Sequence, residues 1–210
     1  MSSAARREVI ERAAAELFAE RGYQGASVGE IARRSGVTPP VLYDHFGSKL
    51  DLYRCLLERH FADLREVWRE NLIGDEPPEQ RVARSFDAWF AYIEAHPFAG
   101  RMLFRDTIGD PQVDAVQRDV AARSRAAIMP LYEREPGAEN AIGAAAEDGL
   151  EMVWVVMRGV LQGLAMWWYD NPHVPRGQVV ATAMNGLWVG FERVQRGEVW
   201  RPPPGGDQED

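Results

Sequence analysis

The chain holds one cysteine, Cys55, in 210 residues, and one lysine, Lys49, among its 24 basic residues. A single thiol excludes an intramolecular disulfide and a cysteine-built zinc cluster, and a chain so poor in cysteine suits a reducing compartment. Histidine is scarce too, and His60, His96 and His173 stand isolated, so no metal site is expected. There is no H-E-x-x-H, no phosphate loop G-x-x-x-x-G-K-[ST] and no dinucleotide fingerprint. An acid and a base at helical spacing are also lacking, so neither an enzyme nor a bound cofactor is expected. No segment alternates as strands do. Long uninterrupted apolar runs are missing as well. The most apolar stretch, Leu150 to Trp168, carries Glu151, Arg158 and Gln162 within the roughly 20 residues that a membrane span needs. It reads as a helix buried at a protein interface, not as a membrane segment. The first residues hold no apolar run of signal-peptide type, and a cytoplasmic protein is expected.

What is present is ordinary globular composition, 46% apolar and 27% charged, with an uneven charge. Residues 1–49 hold seven basic and six acidic side chains, a net +1, while residues 50–210 carry a net −9. One end can approach a polyanion that the other end repels. A net +1 is too weak to bind nucleic acid by bulk charge, so binding would rest on placed residues. Arginine in place of lysine, with abundant alanine, is the composition of a GC-rich bacterial genome.

Apolar spacing is helical almost throughout. Val9, Ile10, Ala13, Ala14, Leu17 and Phe18 form one face of a first helix that Gly22 stops. Ser27, with Glu30 three residues on, forms a capping box for a second helix, which ends at Gly36. Thr38 caps a third, with Pro39 tolerated in its first turn, running to His45-Phe46. Ser48 opens a fourth to about Arg69. Gly74 to Pro78 is a linker. Further helices are expected over about 79–95, 100–105, 111–133, 141–169 and 176–196, nine in all, with a turn at Pro136-Gly137. Residues 202–210 read as a disordered tail.

Residues 27–49, SVGEIARRSGVTPPVLYDHFGSK, carry the functional signal. Two short helices joined by Ser35-Gly36-Val37 have the turn that a steep helix crossing needs, and Gly36 can take a positive φ there. Val28, Ile31, Val37, Leu42 and Phe46 can meet the first helix as a three-helix core. The third helix would enter a DNA major groove by its N-terminal end. Ser27 and Thr38 put hydroxyls and free amides at helix starts, where phosphate binds well. Tyr43, His45 and Lys49 lie on the outer side, and Arg6 and Arg7 can reach the backbone. Such contacts position a protein without reading sequence. Arg33 and Arg34 are either a solvated face or base readers.

This segment resembles the DNA-binding domain of the tetracycline-repressor (TetR) family. The shared pattern is the hydroxyl residue Ser27, then Ile31-Ala32, Gly36-Val37-Thr38, Leu42-Tyr43-Asp44-His45-Phe46 and Lys49. The resemblance is detailed over about residues 6–60. It implies an all-α fold of nine helices, with a helix-turn-helix domain at 1–50 and a ligand-binding and dimerising helical domain at 51–201. Two positions depart from the pattern. Pro39-Pro40 replaces a small or polar pair, and a proline ring offers only apolar contact to a thymine methyl. Asp44 can accept from a cytosine amino group or contact neighbouring protein groups instead.

The resemblance also implies that the last two long helices pair with their copies in a homodimer. The residues agree: Gly143 to Ala146, Gly159 and Gly163, then Ala181, Ala183, Gly186 and Gly190, give small residues at spacings that let helices approach. Trp167, Trp168, Leu187, Trp188 and Phe191 would fill the seam. A two-fold dimer presents recognition helices to half-sites of a palindromic double-stranded operator about 34–36 Å apart. Phe86, Trp89, Phe90, Ile93, Phe98, Met102, Phe104, Trp154, Met157 and Arg158 fall on helices that surround the family's pocket for a small-molecule effector, though an aromatic stripe is also what a plain core looks like. Arg158 needs a partner: Glu151, Asp148 or an anionic ligand. The expected function is a repressor released from its operator by a small, largely apolar ligand. The alternatives are a DNA-binding regulator without small-molecule input, and a helical interaction protein that has lost DNA binding, hinted at by Pro40 and Asp44.

Overall fold

The computed structural model describes residues 2–104, 110–132, 146–196 and 198, with the side chains of 131–132, 146–150 and 194–195 left out. The expected turn at Pro136-Gly137, the residues Gly143 to Ala145 and the tail 202–210 lie outside them. Every regular element among the described residues is helical, in nine rods: α1 (Ser3–Gly25), α2 (Val28–Arg34), α3 (Pro39–His45), α4 (Lys49–Leu72), α5 (Pro78–Ala95), α6 (Pro97–Phe104), α7 (Pro111–Tyr132), α8 (Ala146–Asp170), and a last rod formed by α9 (Arg176–Ala183), a π-helical turn (Met184–Trp188) and α10 (Val189–Gln195). The nine-helix, all-α expectation holds. No described helix is long and apolar enough to cross a membrane.

The helix starts follow local chemistry. Ser2, Ser27 and Ser48 each accept a hydrogen bond from the amide three residues on, at 3.1, 3.2 and 3.0 Å, which satisfies a donor the helix leaves free. The Asp110 carboxylate does the same for α7. Two expected caps differ. Thr38 makes no side-chain cap bond, and Pro39 and Pro40 fill the first two positions of α3, where the missing amides need no partner. The Ser27 box is half-made: Glu30 turns its carboxylate to Arg21 at 2.7 Å instead. Gly22 has φ +72° and kinks α1, while Gly36 has φ +67° in the turn between α2 and α3. Both positions need the left-handed region that glycine enters freely.

α4 is the central strut. It packs on α1 at its first half and between α5 and α7 further along, while α6 touches α1 and α8, and α9 lies on α5 and α8. One continuous core results. It runs from Ile10, Leu17, Phe18, Ile31, Leu42 and Phe46 through Leu52, Tyr53, Leu57, Leu64 and Trp68 to Phe86, Phe90, Met157, Leu161 and Trp168. Each such large apolar side chain contributes roughly 1.5–3 kcal/mol by leaving water. α4 extends to Leu72, past the expected Arg69, because Trp68 and Leu72 are both buried on its inner face.

Candidate nucleic-acid interface and ligand cavity

Leu42 and Phe46 anchor α3 from inside, and the opposite side is bare. Thr38, Pro39, Pro40, Tyr43 and Asp44 are all exposed, Tyr43 by 50%. Asp44 has no hydrogen-bond partner among the described residues, so the neighbouring protein groups weighed for it are not engaged. Arg33 projects outward with its side chain 73% exposed. Arg34 does not: it grips Glu20 through two bonds of 2.9 and 2.6 Å, tying α2 to α1. That bond holds the Glu20 carboxyl below its ordinary range. Arg34 is therefore a brace within the three-helix unit. Ser27 is exposed beside Glu30, and Arg6 is half-buried on the first turn of α1.

Three residues expected to reach the DNA backbone are turned inward. Arg7 bonds Glu11 at 2.9 Å and the Cys55 Sγ at 3.1 Å, and its guanidinium lies 4.4 Å from the Phe46 ring centroid. It rivets α1 to α3 and α4. His45 is half-buried beside Phe46, and its carbonyl also faces Arg7 at 3.4 Å. The Lys49 ammonium donates to the carbonyls of Tyr23 (2.9 Å) and Ala26 (3.0 Å) and sits 4.1 Å from the Tyr23 ring centroid. Those carbonyls end α1 and need donors, and Lys49 is the cation in reach. Burial lowers its pKa. Sequence spacing puts Lys49 on the outer side of the motif; the unpaired end of α1 draws it in.

A cavity of about 310 Å³ lies between α4, α5, α7 and α8. Five of the expected residues line it: Trp89, Phe104, Trp154, Met157 and Arg158. Phe86, Phe90 and Met102 do not; they are buried in the solid core, the alternative that an aromatic stripe always carries. Ile93 and Phe98 border a separate cavity of about 370 Å³ beside Arg101 and Trp168. Missed in the sequence were Phe61, Leu64 and Trp68 on α4 and the whole α7 wall, Gln117, Arg118, Ala121, Ser124 and Ile128. The α7 stripe at 117, 121, 124 and 128 has helical spacing, but glutamine and serine in it hide the signal from a search for apolar residues.

The cavity's polar groups are few. Ser124 is 4% exposed, and its hydroxyl has no partner among the described residues. Gln117 donates to the Tyr53 hydroxyl at 2.8 Å. Burial pushes the Tyr53 pKa up to about 12, so the phenol stays neutral. Arg118 and Arg158 stand at the exposed edge. The expected Glu151 partner of Arg158 is taken by Arg125 at 2.8 Å, and the side chain of Asp148 lies outside the described residues.

α8 and the last rod share an unpartnered face. Met152, Val155, Val156 and Trp167 on α8 are half or more exposed, and Val189 on α10 nearly half. Among them Gly159, Gly163, Gly186 and Gly190 would each admit a Cβ without contact with the described residues. Phe191 is half-buried beside this face. Four expected seam residues are elsewhere: Trp168, Ala183, Leu187 and Trp188 are buried within the chain. Leu187 and Trp188 close the π-helical turn Met184–Trp188, and both face into the chain.

A short helix braced by two others, presenting a bare N-terminal face, on an all-helical body that encloses a cavity, defines a helix-turn-helix transcriptional regulator. Residues 10–56 match the sequence profile of the bacterial regulatory proteins of the tetR family. The chain is 31% identical over 191 residues to the HTH-type transcriptional activator FasR of Mycolicibacterium smegmatis, covering 90% of this chain and 84% of that one. Its fold resembles a TetR-like transcriptional regulator from Rhodococcus sp. RHA1 (TM-score 0.70, 18% identity, 91% and 98% of the two chains covered). It also resembles the fatty acid degradation regulator FadR of Bacillus halodurans (TM-score 0.69, 15% identity, 90% and 94% covered). The chain belongs to the TetR family of DNA-binding transcriptional regulators, whose members bind DNA as dimers and often answer to small molecules.

Proposed function

We propose that the protein is a cytoplasmic homodimer that binds a palindromic operator through the exposed face of α3 and leaves it when an elongated, largely apolar ligand fills the cavity. On this reading residues 1–50 bind DNA, with Tyr43, Thr38, Pro39, Pro40 and Asp44 at the groove and Arg33 and Ser27 at the backbone. Residues 51–201 bind ligand and dimerise through α8 and the last rod.

The observation that carries it is the cavity's place. One wall is α4, and the same helix begins at Lys49 against the end of α1. A ligand that prefers a different α4 position shifts the two recognition helices and lowers operator affinity. Aromatic and aliphatic walls with arginines at the edge suit an alkyl chain with an anionic head, and the FadR likeness points to fatty acids as first probes. The FasR name favours a second sign of regulation, activation from the bound state.

The test is mobility shift of DNA fragments from the protein's own locus across a salt series, with and without palmitate and oleate. Selective retention of one fragment that the fatty acid abolishes supports the reading. Retention that no fatty acid alters removes the ligand part, and no selective retention by this or by random-sequence selection removes the operator part. A reporter fused to the retained fragment separates repression from activation.

A further inference from the structure

Tyr53 stands between the cavity and the helix-turn-helix. On the cavity side it receives the Gln117 amide at 2.8 Å, and its hydroxyl also lies 3.4 Å from the Met102 carbonyl. On the other side its ring packs edge-on against Phe18 at 5.1 Å and against Tyr23 at 5.2 Å. Tyr23 in turn lies under the Lys49 ammonium, which bonds the Tyr23 and Ala26 carbonyls. Ala26 is the last residue before Ser27, the cap of α2. Lys49 and Tyr53 sit one turn apart on α4, on the side that meets α1. A wall residue of the cavity is thus joined to the turn that opens the helix-turn-helix by contacts at every step.

We propose that Tyr53 is the positioning residue of this regulator: through Tyr23 and Lys49 it sets the α1–α2 turn according to what Gln117 bonds in the cavity. With the cavity as it stands, Gln117 holds the Tyr53 hydroxyl and Lys49 closes the turn. A ligand atom that draws the Gln117 side chain toward itself breaks its bond to Tyr53, and the ring is then free to shift against Tyr23. The turn sets where α2 starts and so how α3 faces DNA. The meaning of this relay rests on the cavity being a ligand site. The relay itself is a coupling between protein residues and is testable with neither ligand nor DNA, as a contact chain should be.

The experiment is hydrogen exchange of the full chain, comparing Gln117→Leu, Tyr53→Phe and the double variant. Each single change keeps shape and removes one partner of the 2.8 Å bond. Both are expected to speed exchange at the amides of residues 26–31 by about fivefold, and the double variant no more than either alone. Amides of α5 around Phe86 and Phe90 serve as the control for general loosening and should move much less. Lys49→Met should speed the same turn and make it indifferent to Gln117→Leu. The proposal is overturned if Gln117→Leu leaves residues 26–31 at the parent rate, if the two effects multiply, or if α5 quickens by the same factor. Failure to find any ligand for the cavity would fell the proposed function while leaving these results standing, so the two fail separately.

Discussion

The His60 ring nitrogen Nδ1 lies 2.6 Å from the Tyr92 hydroxyl, which itself donates to Asp63 at 3.0 Å. With that proton committed to Asp63, the tyrosine oxygen accepts from a neutral imidazole. Burial first, then the nearby His96 and Arg59, lowers the His60 pKa to about 4, against the pull of Asp63. The ring borders a cleft of about 690 Å³, where α1 contributes Glu8, Glu11, Arg12 and Glu16, α4 contributes Arg59 and Asp63, and His96 follows α5. Between about pH 6.5 and 4 the unfolded chain holds a proton on this histidine that the folded one refuses. Stability therefore falls as pH falls through that window and is whole above it. The loss between pH 7 and 5 is about 2 kcal/mol. Denaturant titrations at several pH values check it: His60→Gln should flatten the slope in this window, and an unchanged slope would assign the acid sensitivity to the carboxylates instead.

Tyr43 and Arg33 should matter for DNA and not for folding. Both project from the helix-turn-helix into solvent, so truncation leaves the core intact. Tyr43→Ala is expected to weaken operator binding about tenfold with the melting temperature unchanged. Arg33→Ala should weaken all duplexes alike and reduce the salt slope by about one. Arg34→Ala should differ from its neighbour, loosening α2 from α1 through Glu20. Equal loss of salt slope for Arg33 and Arg34 would refute that division.

Ser124 offers a test of the cavity from the side of stability. Its buried hydroxyl lacks a partner among the described residues, and such a group carries a desolvation cost that an apolar isostere avoids. Ser124→Ala is expected to raise the stability of the ligand-free protein by about 1 kcal/mol and to lower affinity for any ligand with a polar atom at that height. Calorimetry with and without a bound ligand separates the two effects. Destabilisation of the free protein would mean that the hydroxyl is solvated in the cavity.

How much of this was legible depends on the range of the interactions. The helix-turn-helix is written in one short segment: Ser27 and Gly36 act within a few residues, and Leu42 and Phe46 follow at helical spacing, so the pattern shows in the sequence. The starts of α2 and α4 were legible for the same reason, in the caps Ser27 and Ser48. The inward turn of Arg7 and Lys49 was not, because their partners Cys55, Tyr23 and Ala26 lie 23 to 48 residues away in the chain. Nor was the α7 wall of the cavity, since Gln117 and Ser124 face it for reasons set by α4 and α8. The π-helical turn Met184–Trp188 has no signature in MNGLW that distinguishes it from a regular helix.

Gly163 decides what covers the bare face of α8. A Cβ there meets nothing among the described residues, and a glycine inside a helix costs roughly 1 kcal/mol relative to alanine. In a lone subunit Gly163→Leu should therefore stabilise. If a second copy packs its helices closely against this face, the same change forces the backbones apart. The dimer dissociation constant is then expected to rise more than tenfold, about 1.4 kcal/mol, with helical content unchanged. Val156→Glu should do likewise by placing a charge in the seam. Sedimentation over a concentration series reads the outcome. A Gly163→Leu protein that melts higher and keeps the parent's mass at every concentration would move the dimer seam off α8, and with it the expected spacing of the recognition helices.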